Sequence, residues 1–179
     1  MQSLLLRLLC EVFREMDLSE MLYFAADEGD KEMVEQCSIG GGYVNFRFGD
    51  ILDSPLHRAA ENGRDDVVTY LCSNGADVNI MDIYKQTPMH RAVINNQLEC
   101  LIILLEHDAR MNLRDLQRGY TPVHYACKFG NIECLRVLIE AKARIDMKSL
   151  WTNTTPLMLA NYGSYDEITQ LLISNGAAR

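Results

Sequence analysis

Four stretches of the chain repeat one order of apolar and polar positions. Two adjacent apolar residues are followed by a third, five places after the first: Val67, Val68 and Cys72, then Cys100, Leu101 and Leu105, then Cys134, Leu135 and Ile139. In the fourth, Ile168 and Ile173 keep the outer places, and Thr169 takes the middle one. Each set lies in an amphipathic segment, such as residues 65–75, and predicts a helix. Ahead of each segment stand small residues, Ala59 and Ala60, Ala92, Ala126 and Ala160. They mark a first helix that a neighbouring helix can approach closely. Two helices therefore recur as a unit, and the unit recurs every 33 or 34 residues. A period of this size predicts one supersecondary unit stacked several times, with an extended surface rather than one closed core.

The start of each unit carries its own signal. The four prolines of the chain are Pro55, Pro88, Pro122 and Pro156, each preceded by Ser54, Thr87, Thr121 or Thr155. The hydroxyl residue predicts a helix N-cap. Proline suits the first helical position, where its missing N–H costs nothing. Turn signals follow at Asn62-Gly63 and Phe129-Gly130, and Gly75 and Gly176 predict left-handed stops to the second helices. Asp108 and Lys142 replace glycine there in the middle units, at a cost of roughly 1 kcal/mol if the conformation is kept.

The segment Ser54-Pro55-Leu56-His57-Arg58-Ala59-Ala60 and the later Asn74-Gly75-Ala76-Asp77-Val78-Asn79 resemble the ankyrin repeat family. Four units match over residues 50–179. A fifth lies upstream, where Ala25-Ala26, Gly29 and Val44-Asn45 match without the Thr-Pro-Leu-His opening. The resemblance implies an all-α solenoid of stacked helix-turn-helix pairs with projecting β-hairpin-like loops. Repeats are expected at about 18–48, 49–81, 82–115, 116–149 and 150–179. It also implies a non-catalytic protein-binding module that acts as an adaptor, assembly factor or inhibitor, holding a partner protein on its concave face and loop tips.

Both ends read as caps of a complete small protein. Thr169 and Asn161 put polar groups on the last repeat where the others carry apolar ones. Leu5, Leu9, Val12, Phe13 and Met16 fall on one helical face, and an extra capping helix is expected over residues 1–17. The alternative is that this leucine-rich helix is the functional element, docking on a membrane or a partner with the repeats as scaffold. Its polar face has only Arg7 and Arg14 against Glu11 and Glu15, which suits a membrane surface poorly. No apolar run approaches the roughly 18 residues of a membrane span.

Charge narrows the partners. Aspartate and glutamate number 25 against 17 lysines and arginines, a net −8, which disfavours general binding to a phosphate backbone. The six cysteines include no C-x-x-C pair, and four take apolar repeat positions, so reduced thiols in the cytoplasm or nucleus are expected. A monomer without cofactor or metal is expected.

His57, His90 and His124 recur one per repeat. Stacked helices hold them roughly 10 Å apart, too far for one metal ion, and the resemblance to the ankyrin family implies that each ties down the loop of its own repeat. No nucleophile–base–acid set or phosphate-cradling glycine loop is present, and no catalytic residue is assigned. Leu71, Asp77, Val78 and Asn79 resemble ankyrin segments modified by an oxygen-dependent asparagine hydroxylase, which makes Asn79 a candidate for modification. The simpler reading is a loop asparagine whose side chain bonds its own backbone.

Partner-binding residues are expected at loop tips and on the exposed side of each first helix. Aromatics and arginines, the residue types of binding hot spots, gather there toward the C-terminal half. The candidates are Tyr84, Arg91, Arg118, Tyr120, Tyr125, Phe129, Trp151 and Tyr162.

Overall fold

The computed structural model describes residues 16–177. The capping helix expected over 1–17 lies almost wholly outside the described residues. Met16 and Asp17, the two that are described, are not helical. The described residues form ten helices in five pairs. The pairs are α1 (Leu18–Glu28) with α2 (Lys31–Ile39), α3 (Pro55–Glu61) with α4 (Asp65–Ser73), and α5 (Pro88–Ile94) with α6 (Leu98–Glu106). They continue with α7 (Pro122–Phe129) and α8 (Ile132–Glu140), then α9 (Pro156–Tyr162) and α10 (Asp166–Ser174). First helices stack on first helices and second on second, in chain order. The result is the all-α solenoid that the resemblance implies.

Local chemistry sets each pair. Ser54, Thr87, Thr121 and Thr155 are extended N-caps with proline at the first turn. In the first three of these, a histidine closes a reciprocal cap: Nδ1 of His57, His90 and His124 accepts the cap residue's backbone N–H at 3.1, 3.1 and 3.2 Å. Met158 holds the fourth position, and only Thr155 Oγ1 is left to accept the Met158 N–H. Second helices end in the left-handed region as expected. Gly75 and Gly176 have φ of 88° and 91°, and Asp108 and Lys142 adopt 61° and 67° despite their Cβ.

The core runs the length of the stack between the two helix layers. Val67, Val68, Cys100, Leu101, Cys134 and Leu135 are fully buried, and Ile168 nearly so. The cysteines act as apolar filling: none of the five described is in a disulfide, and burial pushes the thiols of Cys72 and Cys134 up to about 11. Among the described residues no helix is long and apolar enough to cross a membrane.

Backbone and side-chain bonds join each loop to the next. Each loop closes on itself through Phe48 N–H to Asp53 O, Asp82 to Gln86, Asp115 to Tyr120 and Ser149 to Thr154, at 2.9–3.0 Å. Only the first qualifies as an antiparallel bridge among the described residues. Ile83 N–H donates to Ile51 O and Leu116 N–H to Tyr84 O, so adjacent loop tips are laced together. The histidines do more than hold their own loops. Nε2 of His57, His90 and His124 donates to the carbonyls of Gln86, Tyr120 and Thr154, each in the following repeat, at 3.0, 3.3 and 3.1 Å. In the first repeat Tyr23 stands in the histidine position, and its hydroxyl donates to Asp53 Oδ1 at 2.9 Å. One link between repeats is thus kept with different chemistry.

Candidate interaction surface

The exposed face of the first helices changes character halfway along the stack. In the first three repeats it is an ion-pair chain. Arg58 bonds Asp27 at 2.8 Å and Glu61 at 3.1 Å. Arg91 reaches Glu61 at 3.6 Å and Asp82 at 2.8 Å. The Asp82 carboxylate is fully buried and also accepts the N–H groups of Tyr84 and Gln86. Arg91 is therefore committed inside the protein, with its side chain only 16 % exposed. It leaves the set of residues available to a partner.

Two aromatics leave it as well. Tyr120 and Tyr125 are buried, at 5 % and 4 % exposure, not displayed as expected. Tyr120 sits at the base of its loop, where its carbonyl holds His90 and its ring stacks on His124 with centroids 5.1 Å apart. The Tyr125 hydroxyl turns inward to Asp115 and also accepts from Gln86 Nε2 at 3.2 Å. Burial opposes ionisation of Asp115. Hydrogen bonds from Tyr125 and from the N–H groups of Arg118 and Tyr120 outweigh it and hold the carboxyl below its ordinary value.

Trp151, Tyr162, Phe129 and Tyr84 are exposed, at 68, 93, 44 and 37 %. Phe129 and Tyr162 end their first helices, and the loop ladder positions Tyr84 and Trp151. Trp151 Nε1 donates to Leu116 O at 3.4 Å, one residue's bonding away from Tyr84 through the Leu116 N–H. Gly119 makes this close approach of loops possible. Its φ is 70°, and a Cβ there would lie 2.5 Å from the backbone N of Leu150. Leu116 and Leu150 add exposed apolar surface beside the tryptophan. Arg118, also exposed, shares an open cleft with Gln117, Trp151 and Thr152.

Lys128 belongs to this surface although it is neither aromatic nor arginine. It occupies the helix position held by Glu61 and Tyr162 in other repeats, and that register is the signal in the sequence. Its ammonium lies 4.9 Å from the Phe129 ring centroid and 5.9 Å from that of Tyr125, itself stacked on Phe129. Partial burial and then the nearby Arg118 guanidinium pull the Lys128 amine below its ordinary value. The four candidate aromatics that remain exposed, with Arg118 and Lys128, thus sit on the last three repeats. What this arrangement offers is a contact surface. Among the described residues no group of three His, Cys, Asp or Glu side chains could hold a metal ion.

Asn79 has a structural task. Its Oδ1 accepts the Arg110 N–H of the next repeat at 2.7 Å. Asn45 and Asn112 make the equivalent bonds to Asp77 and Arg144 at 2.7 and 2.9 Å. The bonds reach the following repeat instead of the residue's own turn, and they account for asparagine at these positions.

A comparison with curated proteins finds no match to the chain. A sequence model of the family described as ankyrin repeats, three copies to the model, matches residues 22–115 and again residues 111–178. Those stretches span all five helix pairs, with the capped Ser/Thr-Pro openings and laced loops described above, and the chain belongs to the ankyrin repeat family.

Proposed function

We propose that this protein is a non-catalytic interaction module, an adaptor, assembly factor or inhibitor, that binds a partner protein through the loop tips and first-helix face of its last three repeats. Ankyrin repeats are generally protein–protein interaction modules. The observation that carries the location is the exposure of Trp151, Phe129, Tyr162 and Tyr84 on the last three repeats, while the charged first-helix residues of the first three repeats are paired with one another. Large aromatics are typical hot-spot residues, and Trp151, tied to Leu116 O, loses less conformational freedom on binding than a free side chain. The buried, unbridged cysteines support a reducing compartment, cytoplasm or nucleus.

Trp151→Ala removes the centre of this surface and one long hydrogen bond. It is expected to weaken the partner by about 2 kcal/mol, roughly thirtyfold, with the thermal midpoint nearly unchanged. Affinity capture from the native cell, with the full chain and the variant side by side, checks it. Ile39→Ala, at an 84 % exposed position in the first repeat, is the control. Capture of the same proteins at the same yield by Trp151→Ala places the partner elsewhere.

Asn79 is retained as a candidate for hydroxylation on its sequence pattern alone. The intact mass of the protein purified from its native cell is the check. Absence of a species heavier by one oxygen atom removes the proposal.

A further inference from the structure

The charges on the first-helix face are balanced at one end of the stack and unbalanced at the other. Arg58 and Arg91 are paired with Asp27, Glu61 and Asp82. Arg118 and Lys128 make no ion pair among the described residues. The carboxylate just before them in sequence, Asp115, is 1 % exposed and is occupied by Tyr125 and by the N–H groups of Arg118 and Tyr120. It cannot swing out to neutralise the two cations without breaking three hydrogen bonds. Two positive charges without an ion pair therefore stand within electrostatic reach of each other and of the buried Asp115, beside Trp151 and Phe129, on a chain whose net charge is −8.

We propose that the segment bound at this surface is a short acidic peptide with bulky apolar side chains, one carboxylate meeting Arg118 in the cleft beside Trp151 and Lys128 taking a second. This rests on the reading that the last three repeats form the binding surface. Cations with no partner of their own gain most from an incoming carboxylate, and a guanidinium can bind one through two parallel hydrogen bonds. The exposed apolar neighbours Leu116, Leu150 and Trp151 offer contact area beside Arg118. The length of the segment follows from the same electrostatics. Screening confines attraction to within about 8 Å at physiological salt, so the patch is felt by a few residues. A large acidic domain or a long phosphate backbone instead meets the protein's overall negative charge.

The test is selection of a displayed random peptide library on three forms of the full chain: wild type, the Arg118→Glu/Lys128→Glu double variant and Trp151→Ala. Wild type is expected to enrich peptides combining Asp or Glu with Leu, Phe or Trp. The double variant should bind a synthetic copy of the best such peptide about tenfold or more weakly, and should itself enrich Lys- or Arg-containing peptides. Thermal midpoints within a few degrees of one another show that the variants fold. Peptides that need Trp151 but carry no acidic bias overturn this inference and leave the surface standing. Peptides indifferent to Trp151, or no enrichment over bare resin, overturn both. Tighter binding of an oligothymidylate than of the enriched peptide replaces the acidic peptide with a single-stranded nucleic acid.

Discussion

Acidification from pH 7 toward pH 4 is expected to unfold this protein well before its carboxylates are fully protonated. His57, His90 and His124 are fully buried. Burial lowers each from the ordinary histidine value of 6.5 to about 4. The hydrogen bonds pull in both directions. Nε2–H donates to a carbonyl, which favours the charged ring, while Nδ1 accepts from the cap residue's backbone N–H, a donor that a second ring proton would meet. Burial outweighs the carbonyl bonds. In the unfolded chain the same rings take up protons as the pH passes 6.5. Between 6.5 and 4 the unfolded state therefore binds more protons than the folded state, and stability falls with pH. A shift of this size corresponds to about 3 kcal/mol for each histidine. Three together approach the roughly 5–15 kcal/mol that holds a typical domain folded.

Two carboxylates modify the slope without reversing it. Asp53 is raised, chiefly by burial, so it favours the fold as pH drops through its own range. Asp115 is lowered, and it adds to the loss only below the ordinary aspartate value. One opposing group does not offset three histidines. Urea unfolding at pH 7, 6 and 5 measures the effect, with a loss of about 6 kcal/mol expected at pH 5 if the sites titrate independently. The His90→Gln variant starts less stable but should show a shallower dependence, by about a third. A flat profile from pH 7 to 5 means that the three rings are not held neutral.

Shortening a side chain at one repeat position is expected to give very different results along the stack. Val68, Leu101, Leu135 and Thr169 are equivalent by register. Leu101 is fully buried between helices of adjacent repeats, whereas Thr169 is half-buried on the outer side of α10 and donates to Asn161 Oδ1 at 3.1 Å. Leu101→Ala removes apolar contacts and leaves a cavity, because α4 and α8 confine α6 from both sides. A cost of about 3 kcal/mol is expected. In a linear stack, interfaces between neighbours carry the cooperativity. This variant should therefore also broaden the urea transition, as the repeats on either side begin to unfold separately. Thr169→Ala loses one exposed hydrogen bond and should change stability by less than about 1 kcal/mol. Equal costs at the two positions would falsify the reading of Thr169 as an outer-face residue.

Much of the fold was legible because its signals are short in range. A hydroxyl beside proline, a histidine three residues later and a left-handed stop act within a turn or two. The apolar places of the second helices then settle which face is buried. Even Asp108 and Lys142 kept the left-handed stop of the glycines they replace. The candidate surface was half legible. Trp151, Tyr162, Phe129, Tyr84 and Arg118 are exposed as expected, while Tyr120, Tyr125 and Arg91 are not. An aromatic or a cation near a loop looks the same in a sequence whether it faces outward or closes a bond inside.

What the sequence by itself determined was the unit, its period, its caps and its buried stripe, since each depends on neighbours along the chain. Only the tertiary structure decided which charges were spent. Arg58 finds Asp27 a full repeat away, and Tyr23 replaces a histidine by reaching Asp53 in the next loop. Asp115 is turned inward to Tyr125, and Arg118 and Lys128 make no ion pair among the described residues. Pairing is a competition among groups brought together by stacking, and its outcome depends on distances and burial that exist only once the repeats have packed.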